Sequence, residues 1–240
     1  MEYLDLSFSD PARNLACDEA LIEWCEADAS RCGVLRLWEA PSYFVVLGHS
    51  SRMSADVDAE ACARRGVPIL RRVSGGGTVL QGPGCLNYAL VLSYAADGSL
   101  ATIGDAFRFV LRRHAELFER LAGTRVAVQG TSDLTAHGRK FSGNAQYRKR
   151  RCALIHGTFL LDLDVEMVEA CLRMPSRRPP YRGDRDHRSF LGNLGLPAAE
   201  VREGLKRLWD AREPLIAVPY ARIDELAERR YRQHAWSFKY

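Results

Sequence analysis

This chain has no stretch long and apolar enough to cross a bilayer. Its longest near-apolar run, Leu86 to Ala96, is broken by Asn87 and is too short. The opening residues Met1-Glu2-Tyr3-Leu4-Asp5 lack a basic leader and an apolar core, so no secretory signal is expected. The chain therefore reads as cytoplasmic, with no membrane partner. Its seven cysteines form no C-x-x-C pair, which removes the usual zinc framework and leaves reduced thiols as the expectation. There is no G-x-x-x-x-G-K-S/T, so a P-loop is excluded. Excess charge of one sign is also scarce. With 34 basic and 30 acidic residues the net charge is +4, too mild to call for nucleic acid, and no recognition-helix or RNA-platform motif accompanies it. Repeats, low-complexity tracts and linkers are missing, so residues 1–240 read as one domain. Hydrophobic residues make up 47% and charged residues 27%, as in globular chains with a core.

What is present interleaves helices with runs of strands. Ser9-Asp10-Pro11 is a helix start, and the apolar spacing carries that helix to about Ala29. Short β-rich runs follow at Val34–Trp38, Tyr43–Leu47 and Val67–Arg72, with a helix at Asp56–Arg65 closed by Gly66. Leu86–Tyr94 reads as a strand. Ile103, Phe107, Val110, Leu111, Phe118 and Leu121 form one apolar face of a long helix that Gly123 closes. Strands are expected at Arg125–Val128, Leu134–Ala136, Arg139–Ser142 and Leu154–Asp162, with His137-Gly138 as a hairpin turn. Glu166–Arg173, Pro197–Ala211 and Ile223–Tyr231 read as helices. Ser176 to Gly195 reads as a long loop, and Arg148-Lys149-Arg150-Arg151 as a solvated basic run. The class is α+β, a mixed sheet with packed helices.

Four constellations carry candidate chemistry. In Arg71-Arg72-Val73-Ser74-Gly75-Gly76-Gly77-Thr78, three glycines directly after a strand free backbone N–H groups to approach an anion, and two arginines add fork-shaped donors. In Gly138-Arg139-Lys140-Phe141-Ser142-Gly143-Asn144, alternation puts Lys140 and Ser142 on one face, where an ammonium can stabilise developing negative charge. His156-Gly157-Thr158 lies within an apolar strand, where a histidine is more often a hydrogen-bonded core residue. Asp133 follows Thr131-Ser132 as a turn residue or a ligand to magnesium or phosphate.

Together with Leu86-Asn87-Tyr88, Asn14-Leu15-Ala16-Cys17-Asp18-Glu19 and the ending Ala235-Trp236-Ser237-Phe238, these segments resemble the lipoate–protein ligase catalytic domain of the biotin/lipoate ligase and octanoyltransferase superfamily. The resemblance implies a biotin/lipoate ligase-like fold and a two-step reaction. Lipoate or octanoate would attack ATP, assisted by Mg2+, to give an acyl-adenylate, and a lysine of a lipoyl-domain acceptor protein would then take the acyl group. On that reading Lys140 is catalytic. Arg71, Arg72, Ser74, Gly75, Gly76, Gly77, Thr78, Asn87, Asp133, Ser142, Gly143, His156, Gly157 and Thr158 hold substrate and adenylate, and Asp133 is the magnesium ligand. Burying about seven methylenes of the acyl chain contributes a gross ~5–6 kcal/mol at ~0.8 kcal/mol each. The 177–188 segment would be a lid, mobile until the adenylate forms. Ligases of this kind often carry a C-terminal accessory domain, so a separate accessory subunit is expected as a further partner.

The alternative implied by the same resemblance is an octanoyl or lipoyl transferase drawing on a thioester donor. Leu80-Gln81-Gly82-Pro83-Gly84-Cys85 lies nearer to the H-G-P-G of such transferases. Those enzymes use a cysteine nucleophile, however. Met174-Pro175-Ser176-Arg177 and Val128 to Leu134 have none, and Cys85 and Cys152 read as buried, inert thiols. On this ground the sequence favours the ATP-dependent ligase.

Overall fold

The computed structural model describes residues 1–31, 33–95, 98–175 and 178–240. The chain begins with strand β1 (Glu2–Asp5), helix α1 (Pro11–Ala27), β2 (Val34–Glu39) and β3 (Phe44–Leu47). The short helices α2 (Met53–Asp56) and α3 (Ala59–Arg64), then β4 (Ile69–Arg71), β5 (Val79–Gln81) and β6 (Cys85–Ser93), follow. Next come α4 (Ile103–Ala122), β7 (Val126–Gln129), β8 (Asp133–Ala136), β9 (Arg139–Arg148), β10 (Cys152–Leu160) and α5 (Val165–Cys171). The chain ends with α6 (His187–Phe190), α7 (Ala198–Leu208), β11 (Glu213–Pro214), α8 (Tyr220–Leu226) and α9 (His234–Ser237).

The strands form an eight-stranded mixed sheet, ordered β11-β1-β2-β6-β10-β9-β8-β7, and a three-stranded sheet, β4-β3-β5. The mixed sheet with packed helices is the architecture expected. Alternation along the central strands sorts the core into two faces. Leu35, Leu37, Leu90 and Ile155 pack with α4 and α7, whereas Val34, Trp38, Ala89 and Leu154 pack with α1 and α8. The smaller sheet joins α3 and α5 through Val45, Leu80, Cys62 and Cys171.

Local rules account for the helix ends. Asp10 caps α1 by accepting from the Ala12 N–H, with Pro11 in the first turn. Thr102 caps α4, and Gly123 ends it at φ 61°. Ile103, placed by its spacing on the apolar face, is instead exposed in the first turn. The single helix expected at Asp56–Arg65 is two, because Asp58 turns its carboxylate to the Ala61 N–H and starts α3 afresh. The basic run is not simply solvated: Arg148 donates to the Leu100 carbonyl and Lys149 pairs with Glu23 at 3.2 Å.

Under α4, His114 is fully buried and accepts the Trp209 indole N–H at 3.0 Å. Burial pushes its pKa down to about 3. Because the folded value lies below the unfolded one of about 6.5, the unfolded chain binds the extra proton at mildly acid pH. The stability tied to a neutral His114 is complete above that unfolded value and is lost as pH falls toward the folded one. We expect a loss of roughly 2 kcal/mol between pH 6.5 and 5 from this group, about 1.4 kcal/mol per pH unit. Urea unfolding of the native chain and of His114→Gln checks it. The variant is less stable at neutral pH but shows a flatter dependence on acid.

Candidate active site

A cavity of about 980 Å³ opens where the smaller sheet, α1 and the 178–191 segment meet the open part of the large sheet. Cross-strand register lays its floor in rows. Trp38, Asn87, Thr158 and Gly143 stand side by side on β2, β6, β10 and β9, and Arg36, Ala89, His156 and Ala145 form the next row. Leu15, Trp38, Val46, Val79 and Leu80 supply apolar wall, suited to a hydrocarbon chain.

Most of the residues singled out in the sequence reach this cavity: Arg72, Gly76, Gly77, Thr78, Asn87, Asp133, Lys140, Ser142, Gly143, His156, Gly157 and Thr158 all line it. Arg71 does not. Its buried guanidinium donates to the carbonyls of Gly48, His49, Ser51 and Ser237, so it ties the C-terminal helix α9 to the loop after β3. Neighbouring strand residues point opposite ways, and Arg72 takes the inner side. Arg72 is buried, with its pKa lowered to about 10 by that burial. It braces the glycine loop from within, donating to the Gly75 carbonyl at 2.6 Å and the Gly77 carbonyl at 2.9 Å. Gly76 must be glycine: it has φ 88°, and a Cβ would meet Arg72 Nη2 at 2.9 Å. Ser74 and Gly75 do not line the cavity: Ser74 is buried and Gly75 is exposed. Among the described residues no acceptor takes the backbone N–H of Gly75, Gly76 or Gly77. Thr78 gives its hydroxyl to Asp56 at 2.7 Å.

His156 is both hydrogen-bonded and on the cavity wall. Arg72 Nε–H donates to Ser74 Oγ at 3.0 Å, so the Ser74 hydroxyl proton is free to go to His156 Nε2, 2.6 Å away. The opposite nitrogen, Nδ1, then carries the proton and faces Asp18 Oδ2 at 3.2 Å. Asp18 is held in turn by Arg36, whose Nη1 lies 2.5 Å from Oδ1. Ala89, between Arg36 and His156 in the row, leaves room for both side chains.

Lys140 and Asp133 form the charged end. Lys140 Nζ is 2.8 Å from Asp133 Oδ1, and Tyr181 donates its phenol to Asp133 Oδ2 at 2.7 Å. Burial, and then the hydrogen bond to Asp133, keep that phenol protonated by raising its pKa. Both oxygens of Asp133 are thus committed. Among the described residues no group of three or more His, Cys, Asp or Glu could hold a metal ion. Asp133 as a magnesium ligand does not fit this arrangement: it is the carboxylate that holds the lysine. Asn144 receives the Tyr88 phenol at 2.7 Å, in space that a side chain at Gly157 would fill.

The described part of the expected lid is docked. Arg185 donates to the Gly138 carbonyl, Gly192 N–H to the Lys140 carbonyl, and the segment folds into a turn at Pro180–Arg182 and α6. Ser176 and Arg177 lie outside the described residues. Sequence reasoning missed Tyr181, Gln81, Trp38 and Arg36. The buried charge of Asp18 inside an apolar helix was the one signal that called for a partner such as Arg36.

An apolar cavity with an ammonium at its end and a row of open backbone donors suits a hydrocarbon chain that ends in a carbonyl or carboxyl group. The chain belongs to the lipoyl protein ligase A/B catalytic domain family, whose model matches residues 10–197. It is an enzyme of the lipoate ligase and octanoyltransferase kind. An octanoyltransferase LipM of Geobacillus kaustophilus is 26% identical over 274 residues, covering 99% of this chain and 97% of its own. The octanoyltransferase LipM of Kyrpidia tusciae is 31% identical over 217 residues, covering 80% of this chain and 78% of its own. A bi-partite lipoate protein ligase of Thermoplasma acidophilum, described with its E2 lipoyl domain, has the same fold: TM-score 0.82 at 22% identity, over 99% of this chain and 95% of its own.

These relatives overturn the expectation of ATP-dependent ligation. The sequence matches that run along nearly the whole of both chains are to octanoyltransferases, whereas the ligase structure shares the fold at 22% identity. The argument from a missing cysteine gave the wrong weight to one residue type. The observation behind it holds in part: Cys17, Cys25, Cys62, Cys85, Cys152 and Cys171 are buried, and none lines the cavity. Burial also raises the pKa of Cys85. Cys32 lies outside the described residues. Among the described residues no helix is long and apolar enough to cross a membrane.

Proposed function

We propose that this enzyme moves an octanoyl group, or its lipoyl counterpart, from a thioester donor to a lysine of a lipoyl domain. The observation that carries the reading is Lys140, paired to Asp133 at the end of an apolar cavity, in a chain similar along its whole length to octanoyltransferases. The acyl chain lies against Leu15, Trp38, Val46 and Val79, and the thioester carbonyl sits at Lys140. The neutral amine of the acceptor lysine attacks that carbonyl. A C–N bond forms and the carbonyl oxygen becomes an oxyanion. The Lys140 ammonium and the open N–H groups of Gly76 and Gly77 stabilise the charge as it develops, which is where such donors lower a barrier. The C–S bond then breaks, the thiolate leaves with the electron pair, and the proton lost by the amine ends on the thiol. Asp133 aims Lys140, and Tyr181 fixes Asp133. A lipoyl domain as acceptor is supported by the Thermoplasma ligase described with its own.

Intact mass spectrometry of a purified lipoyl domain tests the reading. With this enzyme and an octanoyl thioester, and without ATP, the domain gains one octanoyl group. If it gains the group only from free octanoate with ATP and magnesium, the reading is wrong.

A further inference from the structure

A line of hydrogen bonds joins the buried interior to the glycine loop. It starts at the Arg36–Asp18 ion pair between β2 and α1. Asp18 Oδ2 faces His156 Nδ1 at 3.2 Å. A carboxylate only accepts, so the neutral ring carries its proton on Nδ1 and leaves Nε2 as an acceptor. The Ser74 hydroxyl, 2.6 Å away, donates to Nε2. Ser74 Oγ in turn accepts Arg72 Nε–H at 3.0 Å. Arg72 ends the line with two bonds from one nitrogen: Nη2 reaches the Gly75 carbonyl at 2.6 Å and the Gly77 carbonyl at 2.9 Å. From the ring to the guanidinium every donor points back toward Asp18.

The last link decides where a backbone N–H points. The Gly75–Gly76 peptide is trans, and a trans peptide holds its C=O and N–H on opposite sides. With the Gly75 carbonyl on Arg72, the Gly76 N–H is turned away from the guanidinium, and it has no acceptor among the described residues. No other hydrogen bond among the described residues holds that peptide, and glycines turn freely. Arg72 therefore sets its orientation. Arg72 itself has no carboxylate partner among the described residues. Its guanidinium meets the carbonyls of Val46, Gly75 and Gly77 and one side chain, Ser74. His156 takes the Ser74 proton and so keeps an oxygen lone pair turned to Arg72. Gly76 and His156 both line the cavity.

We propose that His156 is a positioning residue: through Ser74 and Arg72 it holds the Gly76 N–H in the orientation that serves the reacting acyl group. This rests on the thioester-transfer reading above and adds to it the group that fixes one of the oxyanion donors. Both ring nitrogens are committed, so His156 acts through the loop and not on the substrate. A held donor acts on charge that develops in the transition state and hardly on binding of the hydrocarbon chain.

The test compares the native enzyme with His156→Leu, Ser74→Ala, the two combined, and His156→Gln. Glutamine carries a donor and an acceptor on one amide and can stand in for both ring nitrogens. Two quantities are read in each folded variant: kcat for octanoyl transfer from a thioester to a lipoyl domain, and calorimetric affinity for the unreactive octyl thioether, which has no carbonyl. His156→Leu and Ser74→Ala each lower kcat by about 10–100-fold, with thioether affinity unchanged. The combined variant falls no further than the single ones, because both break the same line. Glutamine recovers most of the rate. Losses that multiply in the combined variant would mean that His156 acts apart from Ser74, and would overturn the inference. A fall in thioether affinity as large as the fall in kcat would overturn it too, as would native kcat in a folded His156→Leu or Ser74→Ala variant. Ser74→Ala alone carries the test if the leucine variant does not fold, since its loss has to appear in kcat and not in thioether affinity. A native enzyme that transfers nothing from the thioester removes the functional reading, and this inference with it.

Discussion

Replacing Lys140 with alanine removes acyl transfer almost completely, by about 10²–10³-fold in kcat, while the protein stays folded. The reasoning begins with its environment. Lys140 is about a quarter exposed at the cavity end, and its anionic partner among the described residues, Asp133, is itself satisfied by Tyr181. An ammonium so placed is present before the reaction and needs no reorganisation when the oxyanion appears. Lys140→Arg keeps the charge but not the compact point geometry, so it recovers only part of the rate. The fold does not depend on Lys140, because the ion pair is partly solvated and such pairs contribute about 0–1 kcal/mol. Steady-state transfer assays beside a thermal melt check both halves. A Lys140→Ala enzyme within a factor of a few of native activity would place the oxyanion elsewhere.

The second large effect is on stability. Arg36→Met destabilises the protein by about 3–5 kcal/mol, because Asp18 is left buried with an uncompensated charge. Arg36 is fully buried and also donates to the Leu6 and Asn14 carbonyls, so several acceptors lose their donor at once. Against a typical total of about 5–15 kcal/mol this is a large share. Removing both charges, as Arg36→Met with Asp18→Leu, recovers a good part of the loss, since a well-packed apolar pair costs less than one orphaned ion. Urea unfolding of the three proteins measures it. If the single variant loses under about 1 kcal/mol, water reaches Asp18 and the pair is not the anchor described here. Asp18 also holds His156, so the double variant, not the single one, loses the fixed tautomer facing Ser74.

Much of this was legible in the chain because it is local. Asp10-Pro11, Thr102 and Gly123 mark helix ends by backbone chemistry that needs no tertiary context. The glycine loop and the Lys140 segment announced themselves by residue types that neither strand nor helix favours. What stayed hidden was set by distance along the chain. Arg71 and Arg72 look equivalent in sequence, yet strand alternation sends one to the C-terminal helix and the other under the glycine loop. Asp133 reads as a metal ligand until Tyr181, from a segment 48 residues away, takes its second oxygen. Strand β5 is three residues long and holds Gln81, whose bond to Thr158 ties the smaller sheet to the larger one. The choice between adenylate and thioester was illegible for another reason: either donor presents the same carbonyl to the same lysine, and the residues around it answer to the carbonyl.

The central claim is that the cavity holds an acyl thioester with its carbonyl on Lys140. Carbon-13 NMR of an octanoyl thioester labelled at the carbonyl, bound without acceptor, reads this directly. The account predicts a downfield carbonyl shift on binding to the native enzyme that is lost in Lys140→Ala, with the label still bound. An identical shift in both proteins, or no binding of the thioester to the native enzyme, would contradict it.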